Sequence, residues 1–421
     1  MRAARTAVAW VFAANGFAFA GWASRLPALR DAFGLSPARV GLVLLAVSAG
    51  AFAALPLAGA IVHRAGTAPT VLTCGAVGCA GLALVGLSTT ITGVAVGFAA
   101  FGAANGVWDV GMNVEGTEVE RRLGRAILPR FHAGWSLGTV AGAVAGSLAA
   151  RAGVPLRVHL PVVAALVMLV VALATRHFLP PAASVRAGHR PGRRPGSGSL
   201  AAWSEPRTLA LGALVLCFAF AEGSANDWLT LGLVDGYGLA HAAAAAGFAA
   251  FVTAMMLGRM TGPWVLDRFG RVTVLRSGAC LAGLGIVLFV AGSGSAPVAE
   301  ASIGEAGPGG HTGHGMATAI AALATVCWGL GASLGFPVGL SAAADERARA
   351  PARVGVVATI GYTAFLAGPP LLGRLADQVG VVQALAAVLV PVGIAVAIAG
   401  VARPIRPVTD TPEQAVPPGD G

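Results

Sequence analysis

A carboxylate and two amides recur at helical spacing inside an otherwise apolar stretch. Asn105, Asp109 and Asn113 are each four residues apart, in and just before the segment "GVWDVGMNVEGTEVER" (106–121). On a helix this spacing places all three side chains on one face. A charge at the bilayer midplane costs about 2.5–3.5 kcal/mol on insertion scales, so this face must meet other helices or water. We expect Asp109 to bind a proton when its surroundings are dry and to release it when they hydrate.

Other polar residues lie in apolar stretches that are also long enough to be helices. Glu222 is followed four residues later by Asn226, which repeats the acid–amide pattern. We predict proton coupling by Asp109 and Glu222. We predict substrate contacts, including stacking on tryptophan faces, for a second set: Asn15, Asn105, Trp108, Asn113, Asn226 and Trp328.

Each of these predictions has a structural alternative. The acids and amides also fit hydrogen-bonded contacts between helices, and tryptophan is common at membrane interfaces. Asp227 is expected to be solvated at the outer rim. His132 either passes protons to Asp109 or is a surface residue at a helix start.

The composition indicates a membrane protein. Of 421 residues, 56% are hydrophobic and 11% are charged, and the mean hydropathy is +0.77. A soluble domain is about 25% charged, so this chain cannot cover an aqueous surface. Its five cysteines have neither metal-ligand nor disulfide spacing. We expect no metal, no cofactor and no enzymatic site.

Windows of about 20 apolar residues predict an all-α membrane protein with twelve transmembrane helices. Residues 1–177 and 207–402 each form a six-helix bundle, the Pro-, Gly- and Arg-rich segment 178–206 is a cytoplasmic linker, and 403–421 is a disordered tail. The predicted spans are 6–26, 38–61, 69–88, 92–113, 131–150, 155–177, 207–228, 240–262, 272–292, 315–340, 354–374 and 380–402.

The basic residues predict the orientation. All 28 are arginines, and with the N-terminus inside, 22 of them fall on the inner side. This asymmetry fits the positive-inside rule, with both termini cytoplasmic and the chain in the inner membrane of a bacterium. The charge therefore reports topology, and we expect no nucleic-acid partner.

The two halves repeat each other at one offset. Asp31-Ala-Phe-Gly-Leu35 recurs as Asp235-Gly-Tyr-Gly-Leu239, and His63-Arg-Ala-Gly66 recurs as Asp267-Arg-Phe-Gly270, both shifted by 204 residues. A duplicated six-helix unit follows, with a binding site expected near the midplane between the halves. The arginines before the first apolar run also fit a cleavable signal, but the repeat requires that run as a helix of the mature chain.

The segment "VLDRFGRVTVLR" (265–276) resembles the loop signature of the major facilitator superfamily. The first-half copy, "GAIVHRAGTAPTV", has His63 in place of the family's acid. The resemblance implies two pseudo-symmetric six-helix bundles, a cavity lined by the first, fourth, seventh and tenth helices, and alternating access. It also implies a conformational role for Arg64, Arg259, Asp267, Arg268 and Arg271.

The stretch 109–142 is similar to the fucose-permease-like branch of that superfamily, which carries an acid, an Asn and a Gly-rich fifth helix. This sequence lacks the second acid of that branch in its first helix. We predict a monomeric secondary transporter of a small polar solute, such as a sugar, with proton symport. The alternatives are proton-driven efflux of amphipathic compounds and a membrane sensor that does not transport.

Overall fold

The computed structural model describes residues 1–124, 127–180, 202–293, 310–346 and 349–404. Within these ranges the chain is helical and contains no strand. Twelve helices are long and apolar enough to cross a membrane, as predicted. Most of the predicted linker and nearly all of the predicted tail lie outside the described residues.

The first bundle contains six spans and one short connecting helix. Its helices are α1 (Arg2–Ala23), α2 (Leu26–Phe33), α3 (Pro37–Ala65), α4 (Thr67–Leu87), α5 (Ile91–Leu123), α6 (Leu128–Arg151) and α7 (Leu156–Thr175). Helix α2 is the short one.

The second bundle repeats this arrangement, with interruptions in two spans. Its helices are α8 (Pro206–Tyr237), α9 (His241–Phe269), α10 (Arg271–Ser293), α11 (Gly310–Ala332), α12 (Gly335–Ala343), α13 (Ala350–Val379), α14 (Val381–Leu385) and α15 (Leu389–Ile398). Helices α11 and α12 form one span. A 3₁₀ turn links α14 to α15, and a second 3₁₀ turn ends the last span at Ala402.

Several helices run past their predicted ends, and α5 and α8 do so by the most, ten and nine residues. Helix α5 continues to Leu123 because Glu118 pairs with Arg121 and Arg122 one turn later, which keeps a polar extension helical. Helix α8 continues to Tyr237 and ends at Gly238, a left-handed C-cap. Asp227 is therefore inside a helix, and its predicted place at the outer rim is wrong.

Prolines and glycines shape the packing of two further helices. Pro369 and Pro370 lie inside helix α13, which continues through them. The glycines of α6 do not lie between the two bundles, because a Cβ at Gly138 would strike the carbonyl of Ala13 on α1. Their face packs within the first bundle.

Hydrogen bonds between the bundles lie toward one end of the molecule. Ser48 Oγ on α3 donates to the Phe365 carbonyl on α13, and Ser147 Oγ on α6 donates to the Ala242 carbonyl on α9, both at 2.7 Å. A Cβ at Gly41 would strike the backbone of Pro369, so α3 and α13 approach at backbone distance. These contacts close the end of the molecule that carries the α1–α3 and α8–α9 connections.

Charged groups join the bundles at the same end. Arg30 Nη1 on α2 donates to Asp235 Oδ1 on α8 at 2.6 Å, and Asp31 lies 2.9 Å from the ring nitrogen of His241. Asp377 accepts from the Ala38 amide at 2.9 Å. Across the ranges that the structure covers, all hydrogen bonds and ion pairs between the bundles lie in this half of the molecule. We call it the closed end.

Candidate functional site

The strongest polar contact inside the helical region pairs Glu222 with Arg259. One guanidinium nitrogen of Arg259 on α9 donates to both carboxylate oxygens of Glu222 on α8, at 2.9 and 3.1 Å. The Glu222 side chain is 12% exposed. Arg259 was predicted to belong to a conformational loop, and the structure corrects this, since it lies ten residues before the helix end at Phe269.

An interrupted span supplies the second contact of Arg259. Helix α11 ends at Ala332 and α12 begins at Gly335, so the backbone between them is not helical. The freed carbonyl of Ser333 accepts from Arg259 Nε at 3.3 Å. Irregular backbone at membrane depth requires such a partner, because its polar groups cannot be left facing lipid.

A cavity lies beside this ion pair, and both bundles line it. The first bundle contributes Phe19 and one turn of α6, and the second contributes Glu222, Asn226 and a face of α9. Its full lining is Phe19, Trp135, Ser136, Thr139, Glu222, Asn226, Val252, Met255 and Arg259. The cavity therefore combines one ion pair, an amide, two hydroxyls and an indole.

A hydrogen-bonded chain holds the indole in place. Trp135 Nε1 donates to Asn15 Oδ1 at 2.9 Å, and Asn15 Nδ2 donates to Asn105 Oδ1 at 2.7 Å. Asn15 is 3% exposed. The structure thus uses Asn15 and Asn105 to fix Trp135, and it does not place either amide in the cavity lining, where substrate contacts were predicted.

Asp109 is connected to His132 through Asn113. Asn113 Nδ2 donates to Asp109 Oδ1 at 3.2 Å and to the Asp109 carbonyl at 2.8 Å, and its Oδ1 lies 3.1 Å from His132 Nε2. His132 is exposed at the start of α6. When His132 Nε2 is the donor, every hydrogen bond in this series is donated in the same direction, from His132 through Asn113 to Asp109.

Two residues link the acids of the two bundles. Tyr362 on α13 is 41% exposed and lies within electrostatic range of both Asp109 and Glu222. His132 feels the charge of Arg259 from the opposite bundle. Asp109, His132, Glu222 and Arg259 therefore belong to one electrostatic neighbourhood.

Both tryptophans predicted to contact substrate are packed inside their own bundles. Trp108 is 1% exposed, and Trp328 is 0% exposed and donates to the Ala221 carbonyl at 3.1 Å. Trp328 also packs edge-on against Phe251 and Phe289. Stacking of a solute on either indole would require opening a core, so the structure corrects both assignments.

The loop residues differ in their contacts. Arg271 donates to Asp345 at 2.6 Å, and Asp345 also accepts from Arg207, which joins α8, α10 and the end of α12. Arg64, Asp267 and Arg268 are exposed and make no ion pair within the described part of the chain. Of these four residues, only Arg271 forms an ion pair among the described residues.

The prediction did not assign Trp135, Ser136, Thr139 or Tyr362 to the site. Trp135 and Ser136 lie seven and eight residues after Leu128, where α6 begins, and a polar-aromatic pair in a Gly-rich helix was the available signal. The sequence gave no such signal for Tyr362, because a single tyrosine in an apolar helix fits contact with lipid as well as it fits a place in a cavity. Among the described residues no cluster of three His, Cys, Asp or Glu side chains could hold a metal ion.

Comparison with known proteins supports the architecture. Residues 8–304 match the family model of the Major Facilitator Superfamily. An uncharacterized MFS-type transporter of Yersinia pestis is 30% identical over 365 residues, covering 86% of each chain. The membrane protein MosC of Rhizobium meliloti is 28% identical, covering 94% of this chain and 89% of that protein.

Solved transporters share the fold. The nucleoside transporter NupG (TM-score 0.71, 15% identity) covers 95% of this chain and 98% of its own. A bacterial homologue of the lysosomal transporter Spinster, in an inward-facing and occupied conformation (TM-score 0.68, 14% identity), covers 94% and 96%. The narrower fucose-permease-like assignment stays a prediction. The chain belongs to the major facilitator superfamily of membrane transporters.

Proposed function

We propose that this protein moves a small polar solute across the cell membrane by alternating access, with proton movement coupled to transport. The observation that carries the proposal is the Glu222–Arg259 pair in a cavity lined by both bundles. A buried ion pair stabilises a fold weakly, since desolvation offsets much of its attraction. Its place in a cavity between two moving bodies favours a functional role.

The conformation fits the solute-releasing state of an importer. If the arginine-rich side is cytoplasmic, as the positive-inside rule indicates, the closed end faces outward, and no hydrogen bond or ion pair among the described residues joins the bundles at the opposite, inner end. Alternating access then requires the Arg30–Asp235 and Asp31–His241 contacts to break when the outer end opens. The chain would act in the inner membrane with both termini in the cytoplasm.

Proton coupling would act through the two acids. A proton on Glu222 removes the charge that holds Arg259, and the freed guanidinium can then turn toward a solute oxygen in the cavity. A proton on Asp109 makes its carboxyl a donor, which reverses the hydrogen-bond polarity that Asn113 and His132 otherwise impose. Because Arg259 acts electrostatically on His132, the protonation states of the two bundles are linked.

The lining favours a sugar or a nucleoside. The indole of Trp135 offers a flat apolar face, while Ser136, Thr139 and Asn226 offer hydroxyl and amide partners for ring hydroxyls. NupG, which shares this fold, transports nucleosides according to its name, and this supports including nucleosides among the substrates tested.

Counterflow in proteoliposomes tests the proposal. Vesicles loaded with one unlabelled monosaccharide or nucleoside at a time should accumulate the same labelled compound transiently, and Asn226→Leu should abolish this accumulation. Thr261→Ala, which removes an exposed hydroxyl that donates only to carbonyls of its own helix outside the cavity, serves as the control. Binding of a compound without any flux would instead indicate a sensor, and flux limited to amphipathic cations would indicate an efflux pump.

A further inference from the structure

A buried arginine lies outside the cavity, at the closed end of the first bundle. Arg25 connects α1 to α2 and is 5% exposed. Its Nη2 donates to the Val154 carbonyl in the α6–α7 connection at 2.7 Å. Its Nε and Nη1 are buried and have no hydrogen-bond partner.

The charge of Arg25 is not balanced by the residues around it. No carboxylate in the described part of the chain pairs with it or acts on it electrostatically. Burial lowers the pKa of the guanidinium below its ordinary value, yet an arginine side chain stays charged in proteins. An unpaired buried charge costs several kcal/mol, so this site calls for a negative partner.

Two further buried donors beside Arg25 also have no partner. His159, in the first turn of α7, is 6% exposed, has both ring nitrogens unbonded, and feels the charge of Arg25. The hydroxyl of Ser24 is buried and unbonded as well. Gly146 on α6 closes over this hydroxyl, since a Cβ there would strike it.

We propose that Arg25, Ser24 and His159 bind a small inorganic anion, of the size and charge of chloride. A guanidinium, an imidazole N–H and a hydroxyl are all donors suited to an anion, and the amino-terminal turn of α7 adds favourable partial charge. A buried water could satisfy the hydrogen bonds but would leave the positive charge unbalanced. The small size follows from the burial, because the orphaned atoms are closed to solvent.

The site has a structural consequence for the closed end. Helix α2 starts at Leu26, directly after Arg25, and carries Arg30, which pairs with Asp235 of the other bundle. An anion that fixes Arg25 against α7 therefore fixes the start of the helix that closes the outer end. None of the three residues lines the central cavity, so this site is separate from the proposed transport site.

Thermal unfolding of the purified full-length protein tests the proposal. At constant ionic strength, replacing gluconate by chloride should raise the midpoint, by about 2 °C for each tenfold increase in chloride above half-saturation. Arg25→Met should abolish the chloride dependence. Arg157→Met removes an exposed arginine from the same turn of α7 as His159 and should retain it.

Crystals of the wild-type protein grown with bromide give a second test that needs no variant. An anomalous bromide peak within hydrogen-bond distance of Arg25 is expected. Equal midpoints in chloride and gluconate, a chloride dependence that survives Arg25→Met, or the absence of bromide beside Arg25 would each overturn the proposal.

Discussion

Arg259 binds Glu222 with one nitrogen and the Ser333 carbonyl with another, and so joins α8 to the interruption between α11 and α12. Removing the guanidinium would remove both of these hydrogen-bonded links. Protonation of Glu222 would therefore change contacts among α8, α9 and the span formed by α11 and α12. Those helices line or adjoin the cavity between the bundles.

Removing Arg259 alone should be more damaging to stability than removing both partners. Arg259→Met leaves Glu222 with a charge and no counter-ion, and we expect a loss of about 2 kcal/mol, discounted for the partial exposure of the arginine. The double variant Glu222→Gln/Arg259→Met should recover most of the thermal midpoint and still show no transport.

Arg176→Met is the control for this prediction, because it removes an exposed arginine, directly after α7, that forms no ion pair among the described residues. It should leave both the midpoint and transport close to wild type. Equal destabilisation by the single and double variants would show that the pair is not coupled as described.

The Arg30–Asp235 contact should bias the protein toward the conformation described here. Arg30→Gln removes an ion pair whose side chains are 16% and 32% exposed, so we expect a shift of about 1 kcal/mol, or roughly fivefold in population, toward a conformation in which the closed end is open. Spin labels at Arg39→Cys and Val379→Cys, in a background without the five native cysteines, would report the distance between α3 and α13.

Arg151→Gln provides the control for the spin-label measurement, since Arg151 is exposed and unpaired at the same end. The distance distribution in this variant should match that of the unmodified background. The double variant Arg30→Asp/Asp235→Arg exchanges the two charges and can re-form the ion pair. Part of the population with a short distance between the labels on α3 and α13 should therefore return. Identical distance distributions in the Arg30→Gln and control proteins would show that the Arg30–Asp235 contact does not stabilise the closed end.

The glycine face of α6 is a static packing surface, and this predicts unequal costs for adding a side chain. A Cβ at Gly138 would strike the Ala13 carbonyl, whereas at Gly134 the nearest atom is the Ala9 carbonyl at 3.4 Å. We therefore expect Gly138→Ala to lower stability by about 1–3 kcal/mol and Gly134→Ala to change it by less than about 1 kcal/mol. Thermal unfolding of the two variants measures the difference, and equal midpoints would contradict it.

The topology was predictable because it depends on local composition. Each span needs about 20 apolar residues, and hydropathy finds such runs without knowledge of their neighbours. Helix ends were less accurate where polar residues stay helical, as between Asn113 and Leu123. Asp109 and Glu222 were identifiable because a charged side chain inside an apolar segment is energetically costly, and such residues are therefore usually functional.

The positions of individual side chains around the cavity were not predictable in the same way. Trp328 and Trp135 both lie in apolar helices, yet one packs among aromatic rings and the other faces the cavity. A helix that is apolar on all sides does not show by periodicity which face meets solvent. Arg259 was placed in a loop because its partner, Glu222, is 37 residues away in sequence and on another helix.

The central claim is that Asp109 carries the proton that drives transport. In proteoliposomes with an imposed pH gradient, Asp109→Asn should abolish uphill accumulation of a substrate identified by counterflow, while exchange of that substrate continues. Asp410→Asn, which changes an aspartate eight residues beyond the end of the last span at Ala402, should retain both activities. Unchanged pH-driven accumulation in Asp109→Asn would contradict the account.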